Sequence, residues 1–189
     1  DITGAIVTVN PVDTTTVGTY TVTYNVTDAA GNAATQVSRT VTVTADATKP
    51  VITLTGANPQ TINVGGSYTE LGASATDNVD SAAAITAAIV VDSSAVNTAV
   101  PGNYNVTYNV TDSAGNVADT VTRVVTVVDN VAPVITLDGS AAVTIEQGSS
   151  YTDAGATALD NIDGDITGAI VTVNPVDTTT VGTYTVTYN

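Results

Sequence analysis

The 189-residue sequence contains no Cys, His, Met, Trp or Phe, and its 3 Lys and Arg face 18 Asp and Glu. Each absence removes a class of chemistry. Without Cys or His there is no thiol nucleophile, no Ser-His-Asp relay, no disulfide and no common zinc site. Three basic residues cannot neutralise a run of phosphates, so nucleic acid is excluded as a partner. An anionic membrane surface repels a chain of net charge −15. No apolar run approaches the roughly 20 residues of a membrane span, and no signal peptide is visible. Only carboxylates remain as reactive groups, and an enzyme is not expected.

Apolar residues make up 43% of the chain, and eight Tyr are its only aromatics. Val, Thr, Ile and Tyr fit a half-buried pleated surface. Acidic disordered chains are poor in such residues, so the expectation is a soluble all-β protein.

Internal repetition is the strongest feature. Pro50-Val51-Ile52-Thr53-Leu54 returns 83 residues later as Pro133-Val134-Ile135-Thr136-Leu137, and Asp77-Asn78-Val79-Asp80 returns as Asp160-Asn161-Ile162-Asp163. Tyr104 to Asp112 has counterparts beginning at Tyr20 and Tyr184, and Arg39 matches Arg123. The repeat is about 82 residues long. Residues 1–48 are the back portion of one unit, residues 50–131 a complete unit and residues 133–189 the front portion of a third. Residues 1–25 and 165–189 are the same string, DITGAIVTVNPVDTTTVGTYTVTYN. Two readings of the ends follow: a window on a longer array, or a subunit that polymerises head to tail by strand complementation.

Within the complete unit, strands are predicted at Val51–Leu54, Thr61–Val64, Tyr68–Ala75, Ile85–Val91, weakly at Val96–Val100, then at Asn103–Thr111 and Val117–Val128. Asp112-Ser113-Ala114-Gly115-Asn116 reads as the loop of a hairpin. About seven short strands in this length predict an immunoglobulin-like sandwich. Gly18-Thr19-Tyr20 and Gly102-Asn103-Tyr104 have the pattern of a tyrosine corner, expected for Tyr20, Tyr104 and Tyr184. Tyr24, Tyr108 and Tyr188 read as plain core. Arg39 and Arg123 are expected to pair with nearby acids.

The motifs PVITL, YTDAGATALDNIDGDIT and VGTYTVTYNVTDAAGN together resemble the bacterial immunoglobulin-like repeats, related to HYR modules, of large surface proteins and adhesins. The resemblance covers the whole chain. It implies a secreted or cell-surface stalk with adhesive or structural duty, often bound up with calcium.

The B–C and F–G loops of such a sandwich lie at the end where the preceding linker arrives. At the complete unit that end collects Asp46 from the linker, Asp77, Asn78 and Asp80 from the B–C loop, and Asp112 and Asn116 from the F–G loop. At the next unit it collects Asp129 and Asn130, then Asp160, Asp163 and Asp165, with Asp28 and Asn32 showing what its F–G loop should contain. Clustered like charges call for a cation, and Ca²⁺ takes six to eight oxygen ligands. The linker Val128 to Pro133 also resembles the calcium-binding linkers of cadherins. The competing reading is that these are turn residues capping their own loops. No EF-hand or RTX pattern is present. The first B–C loop has Ser81-Ala82 where the second has Gly164-Asp165, which leaves the Asp129 junction with more acids.

Other chemistries fit less well. A two-carboxylate glycosidase needs a concave site with positioned aromatics. A Lys–Asn cross-link fails because the only Lys, Lys49, lies in a linker. The expected function is therefore a tandem, acidic, extracellular rod of immunoglobulin-like domains, a stalk or fibre with calcium as its expected cofactor. Its partners are neighbouring copies of the repeat, with other surfaces reached through modules elsewhere. A self-assembling filament subunit and the spacer of a secreted hydrolase stay open as alternatives.

Overall fold

The structure, a computed structural model, describes residues 3–189; residues 1 and 2 of the first segment lie outside the described residues. It is almost entirely β. The first segment holds β1 (Val7–Val9), β2 (Gly18–Asn25) and β3 (Val37–Val43) in one antiparallel sheet of order β1-β2-β3. The complete repeat holds β4 (Val51–Leu54), β5 (Gln60–Asn63), β6 (Ala73–Thr76), α1 (Ala82–Ala87), β7 (Val90–Asp92), β8 (Gly102–Asn109) and β9 (Val121–Val128). Here β4 pairs with β6, and β5-β9-β8-β7 form a second sheet. The pairing of β5 with β9 is parallel. The last segment holds β10 (Val134–Leu137), β11 (Ala156–Asp160), β12 (Gly164–Asp165), β13 (Thr172–Val173) and β14 (Thr187–Tyr188). Its sheets are β10-β11-β12 and β13-β14.

The backbone groups into two compact units whose limits cross the repeat. One comprises residues up to 58, 69–95 and 105–124; the other comprises 59–68, 96–104 and 125–189. The first unit buries Val22, Ile52, Ala75, Ile85, Val106, Tyr108, Val110 and Ala118. The second buries Val125, Val127 and Ala158. Apart from Val22 and Ala158, these buried apolar residues belong to the complete repeat. Strict alternation explains the pattern: β9 reads intermediate or exposed at Val121, Thr122, Val124 and Thr126, and buried at Arg123, Val125 and Val127.

Three predicted strands are corrected. Ile85–Val91 is α1 followed by the short β7. The Ser81 hydroxyl accepts from the Ala84 N–H at 3.3 Å, and Ala82-Ala83-Ala84 has the highest helix propensity, so the capped alanines beat the strand signal. The helix seats Ile85, 2% exposed, and Thr86, whose hydroxyl accepts from the Ala75 N–H at 2.9 Å. Val96–Val100 is a turn region without a strand, held by Asn97 accepting from the Ala99 N–H. The run Tyr68–Ala75 forms a strand only from Ala73, beyond Gly72, whose φ of +80° breaks an extended chain.

The tyrosine corner is present three times. Tyr20, Tyr104 and Tyr184 each donate a hydroxyl proton to the carbonyl four residues earlier: Thr16 at 2.7 Å, Val100 at 2.9 Å and Thr180 at 2.9 Å. Tyr108 is buried, but not as plain core. Its hydroxyl donates to the Glu70 carboxylate and accepts from Arg123 Nε at 3.0 Å. Burial, and then the Glu70 hydrogen bond, push the phenol above its ordinary pKa. Arg123 itself is fully buried. Its guanidinium donates to the carbonyls of Ala57 (2.6 Å), Thr55 (2.7 Å) and Gly72 (2.8 Å). The expected pairing with acids is corrected for Arg123: main-chain carbonyls hold the cation, with Glu70 reaching it through Tyr108. Arg39 is exposed.

Candidate functional site

Asp46, Asp77 and Asp112 come from three separate chain stretches, and one carboxylate oxygen of each lies within 4.8 Å of the others. Each acid organises its own loop first. Asp46 Oδ1 accepts from the Thr48 N–H at 3.0 Å and from Asn78 Nδ2 at 3.2 Å. Asp77 Oδ1 accepts from the Val79 and Asp80 N–H groups at 2.9 and 3.0 Å. Asp112 Oδ1 accepts from the N–H groups of Ala114 (2.9 Å) and Asn116 (2.7 Å), and its Oδ2 from Asn116 Nδ2 (2.8 Å). These are Asx-type turns, the reason Asp and Asn occupy such positions. Gly115, at φ +93°, takes the left-handed conformation that closes the Asp112 turn.

The second oxygens are different. Asp46 Oδ2 and Asp77 Oδ2 are buried and have no hydrogen-bond partner. A buried carboxylate oxygen without a donor carries an uncompensated desolvation cost, and here two such atoms sit beside a third carboxylate. Asp112 is 7% exposed. Burial alone would raise its pKa, but the Asn116 side chain and the loop N–H groups outweigh that and hold it below the ordinary carboxylate value. An all-oxygen donor set with unsatisfied anionic atoms fits a hard cation.

Asn116 borders the cluster and ties it together, donating from Nδ2 to the Asp46 carbonyl at 3.3 Å as well as to Asp112. Asp80 plays another part: its Oδ2 accepts from the Ser113 N–H at 2.9 Å, locking the B–C loop to the F–G loop. Lys49 pairs with Asp119 at 2.8 Å on the surface, a contact of small energetic weight.

The other candidates repeat single parts of this arrangement. Asp129 Oδ1 accepts from the Val131 N–H, as Asp46 does from Thr48. Asp160 Oδ1 accepts from Asp163 and Ile162, as Asp77 does from its own loop, and these N–H groups lower its pKa. Asp165 caps the turn at Thr167. Asp28 copies Asp112, with Oδ1 accepting from Ala30 and Asn32 and Oδ2 from Asn32 Nδ2. Asp28, Asp129, Asn130, Asp163 and Asp165 are exposed and Asp160 is half-buried. Among the described residues these acids form no second three-carboxylate group.

The sequence reading missed the Tyr108–Glu70–Arg123 network. A signal for it existed: Arg123 is in phase with Val125 and Val127 in an alternating strand, which aims it at the core.

A family model described as "Bacterial surface protein, Ig-like domain" matches residues 1–43, 52–127 and 135–189. No curated protein sequence matches the chain. Among solved structures, the lipoprotein BT2262 from Bacteroides thetaiotaomicron is similar at 28% identity and a TM-score of 0.37. That similarity covers 44% of this chain and only 39% of the lipoprotein's. With nearly all of its length matched and an all-β structure carrying three tyrosine corners, the chain belongs to the Ig-like domain family of bacterial surface proteins.

Proposed function

We propose that this chain is part of an extracellular structural or adhesive stalk of tandem Ig-like domains, stiffened by calcium where one domain follows another. The observation that carries the reading is the pair of buried, unpartnered oxygens, Asp46 Oδ2 and Asp77 Oδ2, beside Asp112. A divalent cation there would cancel the repulsion among three carboxylates drawn from the linker and two loops, and so restrain the linker against the domain. The loop N–H groups already hold the acids in place, so little ordering would accompany binding. The absence of Cys fits a structure independent of redox state, and the strong negative charge keeps such chains soluble and apart.

Thermal unfolding tests this. Ca²⁺ at about 10 mM against a Kd near 10⁻³ M, ordinary for extracellular modules, adds about 1.4 kcal/mol. That raises the midpoint of a domain of this size by roughly 5 to 10 °C, more than equal magnesium does. Asp46→Asn and Asp77→Asn are expected to abolish the calcium response while leaving the midpoint in chelator unchanged or higher. A wild-type midpoint indifferent to calcium removes the cation and leaves a plain spacer.

A further inference from the structure

We propose that residues 55–63 and 122–128 of the complete repeat form a mechanical clamp, in which Asn58 and Arg123 lengthen the parallel β5–β9 pairing so that tension along the chain loads its bonds together. The inference rests on the stalk reading, which supplies the tension.

The ladder runs further than its two strands. Gln60 to Asn63 pair in parallel with Val125 to Val128, and the Val64 N–H donates to the Val128 carbonyl at 2.9 Å. Pro59 has no N–H to give, so the backbone pairing stops short of it. The Asn58 side chain takes over instead. Its Nδ2 donates to the Thr122 carbonyl at 3.2 Å, and its Oδ1 accepts from the Val124 N–H at 2.9 Å. These are the two bonds that a strand residue opposite Arg123 makes in a parallel ladder. The register of Gln60 with Val125 puts Asn58 opposite Arg123.

Arg123 adds a second hold on the same stretch. Its guanidinium donates to the carbonyls of Thr55 at 2.7 Å and Ala57 at 2.6 Å, just ahead of Asn58. Because Arg123 is fully buried, water does not compete for its bonds as it does at the exposed Asn58. The corresponding positions of the last segment carry Ala141 and Ala142 in place of Asn58 and Pro59, so the side-chain extension of the ladder is particular to the complete repeat.

Chain direction decides what the clamp resists. Tension along the backbone reaches β5 from its N-terminal side and leaves β9 at its C-terminal side. In a parallel pair those two points lie at opposite ends, so the pull runs along the strands and shears every pair at once. An antiparallel pair loaded the same way has both points at one end and opens pair by pair. β4 lies ahead of the clamp and pairs only with β6. Its release lengthens the chain only as far as Thr55, whose carbonyl Arg123 holds.

Single-molecule force measurement on the full chain, run in chelator so that the calcium reading plays no part, tests the clamp. The chain has no Cys, so introduced thiols attach handles at chosen points. Handles at the two chain termini load β5 and β9 in shear. Handles at Lys49→Cys and Asp119→Cys, both exposed positions, pull the two strands from their N-terminal ends and open the ladder from Asn58 onward. Unfolding is recognised by its lengthening, about 280 Å for residues 50–131 in the first geometry and about 240 Å for residues 49–119 in the second. The peak force is expected to be at least about twofold higher in the terminal geometry, because its bonds break together. Asn58→Ala should lower that force by about a quarter or more, while moving the thermal midpoint by no more than about 5 °C. Equal forces in the two geometries, or a terminal force that ignores Asn58→Ala, overturns the clamp and leaves the stalk reading to its own calcium test.

Discussion

Arg39 and Arg123 stand at the same place in the same alternating pattern, yet one is exposed and the other fully buried. The complete repeat supplies Thr55, Ala57 and Gly72, whose carbonyls receive the Arg123 guanidinium, and Tyr108 and Glu70, which extend the network. Arg39, on β3 beside β2, has no such set of acceptors among the described residues. The comparison teaches that the arginine is not intrinsically a core or a surface residue. Without acceptors around it the cation stays in water, and main-chain carbonyls convert it into a pin. The identical octapeptides differ too: Gly18–Asn25 is a full strand paired with β3, and residues 182–189 hold only the two-residue β14.

Breaking the pin should give the largest effect. Arg123→Ala leaves three carbonyls and the Tyr108 hydroxyl without their donor, and is expected to cost about 3 kcal/mol in urea-monitored unfolding. Arg39→Ala in dilute protein should stay within about 0.5 kcal/mol of wild type. Equal losses would dissolve the distinction between the two segments.

Smaller differences are expected at the tyrosine corners. Tyr104→Phe removes a hydroxyl-to-carbonyl bond that ties β8, an eight-residue strand between β9 and β7, at a cost of about 1 kcal/mol. Tyr184→Phe removes the same bond beside a largely unpaired segment and should cost no more than about half as much. Thermal midpoints of the two variants check the ranking, and a larger loss for Tyr184→Phe would reverse it.

The smallest effect concerns acid. Asp112 and Asp28 sit in equivalent loops, and both carboxyls lie below their ordinary pKa. Asp112 does so despite burial, through Asn116 and its loop; Asp28 does so through Asn32 first. A depressed folded pKa adds stability that is present above the unfolded value near 4 and lost as pH falls through the folded one. Stability measured from pH 7 down to 3 should therefore decline, and Asp112→Asn should flatten that acid limb more than Asp28→Asn. The buried loop follows β8 and the exposed one follows β2, so equal flattening would count against the contrast.

Much of this was readable in the residues. The strand at Val51–Leu54, the three tyrosine corners and the hairpin at Asp112–Asn116 follow from alternation, Gly placement and turn chemistry, all local signals. The meeting of Asp46, Asp77 and Asp112 was legible because a sandwich gathers its loops at one end. The helix at Ala82–Ala87 was not, because a six-residue capped turn has no room to display a helical period. Nor was the division of labour among the acids, in which Asp80 fastens a loop and Asp46 and Asp77 keep an oxygen each without a donor. That depends on angles between loops far apart in sequence.

The sequence by itself determined the β-class, the repeat and the caps, since these rest on residue type and on spacing along the chain. Only the tertiary structure decided which of two equivalent arginines is buried, which of two identical octapeptides is a strand and which acids share a site. Each of those outcomes depends on a neighbour remote in the chain, and a residue's desolvation and hydrogen bonding are set by what surrounds it.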